Sequence, residues 1–160
     1  MVLFLENHIG VLTSPMKNKI LFLCTGNYYR SKFSEIYFNF LAQQQHLNWQ
    51  AFSRGFFIAN PENVGWISPF ALKKLQELQV PIPVERLPER VTKEELKEAT
   101  LIIALHEREH RPFIKQLFPD WENKIVYWNI FDRHDVAPEQ ALTELQGKIE
   151  ELLLTLNMLA

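Results

Sequence analysis

The run Ile20–Cys24 (ILFLC) is apolar at every position, and a polar, glycine-containing turn follows it at once. A strand with apolar side chains on both faces has to be covered on both, which a parallel sheet between helices achieves and a one-sided antiparallel sheet does not. The rest of the chain repeats the alternation. Ser31–Gln45 carries Phe33, Ile36, Tyr37, Phe40 and Leu41 at helical spacing, and Trp49–Ser53 reads as a second strand ending near Gly55. Residues 56–67 form a loop broken by Asn60-Pro61 and Gly65. Ser68-Pro69 then opens a helix with Ser at the N-cap and Pro at the first helical position. Thr92 and Glu95 have capping-box spacing, and Thr100–Leu105 reads as a third buried strand. Arg108–Phe118 reads as helix, Lys124–Trp128 as a fourth strand, and Glu139–Leu156 as a long amphipathic helix. The expected fold is a three-layer α/β sandwich with a central four-stranded parallel sheet flanked by helices. Its ligand site lies beyond the carboxyl ends of the strands.

At 160 residues the chain has the length of one domain. Its 17 Lys+Arg against 19 Asp+Glu, a formal charge of −2, are no footprint of a nucleic-acid binder. A single Cys rules out an intramolecular disulfide and a Cys-based structural zinc site, and it suits a reducing, cytoplasmic compartment. No stretch approaches the roughly 18 apolar residues of a membrane span, and the N-terminus lacks the basic start and cleavage site of a signal peptide. The expectation is a soluble protein without nucleic-acid or membrane partners.

The chemistry concentrates in Ile20–Glu35, ILFLCTGNYYRSKFSE. Cys24 stands at the end of the first strand, Arg30 follows six positions later, and Ser31 is next. Gly26 and Asn27 tolerate positive φ and can curl the backbone so that successive N–H groups turn inward as an anion-binding nest. The helix beginning near Arg30 reinforces that field, which favours a thiolate at Cys24. Arg30 can fork two oxygens of an oxyanion. The arrangement fits a thiolate attacking phosphorus.

LFLCTGNYYRS resembles the phosphate-binding loop of the low-molecular-weight protein tyrosine phosphatases and their arsenate reductase relatives. Phe52-Ser53-Arg54-Gly55 is similar to the family's Ser-Ala-Gly strand end, and the Val91–Leu96 segment before the third strand follows its order of elements. The resemblance covers residues 19–160, taken as the phosphatase-like domain, and leaves 1–18 as an N-terminal extension. It implies a flavodoxin-like, doubly wound sheet. It also implies Cys24 as nucleophile and Arg30 as phosphoryl clamp, with Ser31 hydrogen-bonded to the thiolate and Asn27 holding the loop. The N–H groups of Thr25, Gly26, Asn27, Tyr28, Tyr29 and Arg30 would line the oxyanion site. The implied reaction is phosphomonoester hydrolysis through phosphocysteine, on a phosphorylated protein or a small phosphomonoester, with no metal or organic cofactor.

The family's general acid is an Asp in an Asp-Pro pair before the last helix. Here Asp132 has the better spacing and Asp135 is the alternative, but Arg133 stands where the Pro would be. Arg133 and His134 also replace aromatic residues that commonly follow the pair, leaving Phe56, Phe57 or Trp66 to wall an aryl substrate. Tyr29 occupies the position of a second Cys in many members. Two rival readings stay open: an arsenate reductase using an external thiol, and a phosphate-binding protein with weak turnover. His106-Glu107-Arg108-Glu109-His110 matches the zinc-protease spacing, but it falls at a strand-to-helix junction and reads as a solvated helix start. The arm Met1–Pro15 carries Val2, Leu3, Phe4, Leu5, Ile9, Val11 and Leu12. Either it packs on the domain or on a neighbour, or Met16 is the working start of the chain.

Overall fold

The computed structural model describes residues 16–159. The apolar arm at residues 1–15 lies outside the described residues. Strand β1 (Asn18–Cys24) sends Ile20, Phe22 and Cys24 into one core and Leu21 and Leu23 into another. A two-residue side-chain period requires this of an unbroken apolar strand. β2 (Trp49–Gly55) and β3 (Leu101–Ala104) pair with β1 on either side, and β4 (Val126–Tyr127) pairs with β3. All pairs are parallel, in the order β2-β1-β3-β4. The chain leaves β1 in one direction for β2 and returns on its other side for β3. That opens a crevice above the carboxyl end of β1, where a doubly wound sheet holds its ligand.

Helices α1 (Arg30–Gln44), α2 (Pro69–Glu77) and α5 (Pro138–Leu159) cover one face, burying Phe33, Phe38, Leu75, Leu145 and Ile149 against Phe22. Helices α3 (Lys93–Glu98) and α4 (Glu107–Leu117) cover the other through Leu96 and Ile114. Each such side chain contributes roughly 1.5–3 kcal/mol when fully buried. The caps are those the sequence predicts. Phe70 N donates to Ser68 Oγ at 3.2 Å, and Thr92 and Glu95 exchange their reciprocal bonds at 3.0 and 3.2 Å.

The differences are in the lengths of the elements. The fourth strand pairs over two residues rather than the five expected, Val126 and Tyr127 against Ile103 and Ala104. The third pairs over four rather than six, while the second runs on to Gly55. The last helix extends to Leu159.

Candidate active site

The turn between β1 and α1 is built on Asn27, whose φ is 51°. Gly26, the other residue expected to supply that freedom, is not in the left-handed region. Its small size serves a different need, since a Cβ there would come 3.0 Å from the Asn63 side-chain nitrogen. Gly55 matters more: a Cβ on it would meet Asn27 N and Thr25 O at 2.9 Å, so the end of β2 approaches the loop as only glycine can. The curled loop leaves the N–H groups of Gly26, Asn27, Tyr28 and Tyr29 with no backbone carbonyl to pair with among the described residues. Such a row of unpaired donors at a helix N-terminus attracts an oxyanion.

Side chains hold the loop from beneath. The Asn27 amide donates to Ser31 Oγ and Ser53 Oγ at 2.9 Å each, and its Oδ1 accepts from Glu89 N at 3.0 Å. Ser31 Oγ lies 2.9 Å from Cys24 Sγ. Because Ser31 Oγ already accepts from Asn27, its own proton is free to point at the sulfur. Ser53 in turn donates to Glu35 at 2.7 Å, and Arg86 closes on the same Glu35 oxygen at 2.7 Å. From Asn27 to Arg86 each bond of this network has a defined donor.

Arg30 is 2% exposed. Its Nη1 donates to the Ile130 carbonyl at 2.9 Å and its Nη2 to Glu109 Oε2 at 2.7 Å, while Nε has no partner. The end of the guanidinium is thus tethered. The edge formed by Nε and the second Nη2 proton is left without a partner, and a guanidinium edge of this kind can fork two oxygens of an oxyanion.

Glu109 is the residue that sequence reasoning missed. The motif around it is not a solvated helix start: His110 is fully buried and His106 nearly so. His106 N donates to His110 Nδ1 at 3.0 Å, which fixes the proton on Nε2, and Nε2 lies 2.9 Å from Glu109 Oε2. The Thr25 hydroxyl also donates to that oxygen. Burial pushes His110 below the ordinary imidazole range and so keeps it neutral, in agreement with this geometry. Burial alone would raise the Glu109 carboxyl, but hydrogen bonds from His110 and Arg30 and the Arg30 charge hold it well below the carboxylate range. A run of polar residues directly after a buried strand was the available signal.

Cys24, Arg30 and Asp132 meet at one cavity of about 80 Å³. This is far below the roughly 300–1,000 Å³ of pockets for drug-sized ligands, so it can enclose a phosphoryl group and little more. Thr25, Gly26, Tyr28 and Tyr29 also line it. Asn27 and Ser31 stand behind it as supports. Asp132 Oδ2 is 4.0 Å from Arg30 Nη2, and its Oδ1 accepts from Arg133 N at 2.8 Å. Asp135 is not among the lining residues, and its N–H is bonded to the Asp132 carbonyl at 3.0 Å. Of the three aromatic candidates for a wall, Phe57 lines the cavity, Phe56 is fully buried, and Trp66 packs on the first core. The Tyr29 hydroxyl is buried without a partner, and burial pushes its pKa up to about 12.

No helix among the described residues is long and apolar enough to cross a membrane. A model of the low molecular weight phosphotyrosine protein phosphatase family matches residues 19–151. A protein-arginine-phosphatase of Bacillus subtilis (strain 168) is 31% identical over 106 residues, which are 66% of this chain and 67% of that protein. Among solved structures, a low molecular weight protein tyrosine phosphatase from T. tengcongensis superposes with a TM-score of 0.71 at 25% identity, covering 87% of this chain and 99% of that one. The arginine phosphatase from Geobacillus stearothermophilus gives 0.70 at 25% identity, covering 88% and 94%. With the nest, the tethered arginine and the thiol at the strand end, these likenesses identify the chain as a member of the low molecular weight phosphotyrosine protein phosphatase family, a cysteine-dependent phosphatase.

Proposed function

We propose that this phosphatase hydrolyses phosphomonoesters on protein side chains, phosphotyrosine foremost, through a phosphocysteine on Cys24. One observation carries the reading: the Cys24 sulfur, with the Ser31 hydroxyl at 2.9 Å, lines the same small cavity as Arg30, whose Nε is unpartnered. In the first step the thiolate forms the S–P bond while the P–O bond to the leaving group breaks. The Asp132 carboxyl supplies the proton that the departing oxygen takes up. In the second, the Asp132 carboxylate removes a proton from water, the water oxygen bonds to phosphorus, and the S–P bond breaks to return the thiolate. Arg30 and the loop N–H groups hold the equatorial oxygens, where charge collects in both steps. Phe57, 43% exposed at the rim, supports an aryl substrate by offering a ring edge.

The lone thiol suits a reducing compartment, and we assign the enzyme to the cytoplasm. The test is turnover of an aryl phosphate and of phosphotyrosine and phosphoarginine peptides, with Cys24→Ser as control and acid quench to capture phosphocysteine. Cys24-dependent hydrolysis with the tyrosine peptide ahead supports the reading. Preference for phosphoarginine overturns the substrate, and turnover that survives Cys24→Ser overturns the mechanism.

A further inference from the structure

We propose that Arg133 and His134, at the mouth of the cavity, select phosphopeptides with an acidic residue beside the phosphorylated one, exchanging their internal partner Glu62 for the substrate's carboxylate. The inference rests on the phosphatase reading above and names the substrate class for that site.

The cavity is too small for more than the phosphoryl group, so the neighbours of a phosphorylated residue must lie across its mouth. That mouth runs between the loop carrying Phe57, Asn60 and Asn63 and the loop carrying Asp132, Arg133 and His134. Glu62 bridges the two: its Oε2 is 3.3 Å from Arg133 Nη2 and 3.8 Å from His134 Nε2. The Arg133 guanidinium and the His134 imidazole thus share one carboxylate oxygen. A guanidinium with five donors is left with most of them unspent.

The bridge is built to exchange. The Glu62 and His134 side chains are 62% and 61% exposed, and ion pairs in water hold little net free energy. The backbone of the first loop is anchored, since the Tyr28 hydroxyl donates to Val64 O at 2.6 Å, so only the Glu62 side chain has to swing. The other acid at the mouth does not compete. Asp132 Oδ1 takes the Arg133 backbone N–H, and its Oδ2 faces Arg30. A substrate carboxylate arriving with the phosphoryl group gains the Arg133 guanidinium and the His134 ring N–H as Glu62 turns to solvent, whereas a flanking lysine meets the like charge of Arg133.

The experiment compares three phosphotyrosine peptides of one sequence with Glu, Ala or Lys flanking the phosphotyrosine, beside an aryl phosphate. Expected is an order Glu over Ala over Lys in kcat/KM, about threefold to fivefold per step, carried mainly by KM. The order should flatten at about 1 M salt, where the screening length is about 3 Å. The double variant Arg133→Ala, His134→Ala should bring the Glu:Lys ratio close to one, and Glu62→Gln should widen it about twofold. Binding of the same peptides to Cys24→Ser gives the same ranking without relying on turnover. Cys24-dependent aryl phosphate hydrolysis with a flat peptide ratio, or a ratio the double variant does not alter, overturns the selection and leaves the phosphatase. Failure to turn over every substrate overturns both.

Discussion

Arg30 Nη2 and Glu109 Oε2 lie 2.7 Å apart, the guanidinium buried and the carboxylate three-quarters so. The pair orients the arginine before any ligand arrives, and it leaves the Nε edge free. Removing the carboxylate strands a buried cation and lets the guanidinium rotate. Loss of such a charge-assisted bond costs about 1.5–3 kcal/mol, so Glu109→Ala should lower kcat/KM about 10- to 100-fold. Glu109→Gln, which still accepts from Arg30, should lower it less. Inhibition by inorganic phosphate should weaken in parallel, a readout that a loss of general stability would not reproduce.

Acid should act on this cluster in two windows. His110 is held neutral by burial, so its folded pKa is depressed. Its contribution is complete above the unfolded value of about 6.5 and is lost as pH falls through the folded one. Glu109 is also depressed, and its contribution is complete above about 4.3 and lost below that. Melting midpoints from pH 8 down to pH 3 should therefore begin to fall near 6.5 in the wild type. His110→Gln should abolish that first decline, and the gap between wild type and Glu109→Gln should narrow only under more acid conditions.

Asp132 lines the cavity and Asp135 does not. Asp132→Asn should slow esters with poor leaving groups by a factor of about 10²–10⁴ and activated aryl esters less, because they need little protonation. Asp135→Asn should leave turnover within about twofold of wild type. A reversed ranking in steady-state rates would assign the acid to Asp135 and overturn the Asp132 reading.

Gly55→Ala tests the close approach of β2. The added methyl meets the backbone of Thr25 and Asn27 at 2.9 Å, and backbone cannot move aside as a flexible side chain would. Overpacking of this kind costs about 1–3 kcal/mol. The variant should unfold at lower temperature and also bind vanadate more weakly, because the loop itself is displaced.

Much of this site was legible because it is local. Cys24, Asn27, Arg30 and Ser31 fall within one strand–turn–helix, where turn chemistry and spacing imply the geometry. Asp132 could be narrowed to two positions by its distance from the fourth strand. Glu109 could not be found that way. An acid in the first turn of a helix has a sufficient local role opposite the macrodipole, and the arginine it serves is 79 positions away. Gly55 appeared only as a strand end, since its need for no side chain comes from a loop folded over it. Gly26 and Asn27 looked equally suited to a left-handed turn, and only the assembled loop assigned that conformation to Asn27.

The bonds that shape the phosphate loop span 26 residues to Ser53, 62 to Glu89, 79 to Glu109 and 100 to Ile130. Contacts so distant along the chain form late, after the entropy of closing the intervening loops has been overcome. The catalytic constellation is therefore a product of complete folding. A refolding chain should recover its helical circular dichroism before it recovers phosphate binding or turnover. Regained activity then reports the arrival of the last long-range contacts, on both faces of the sheet at once.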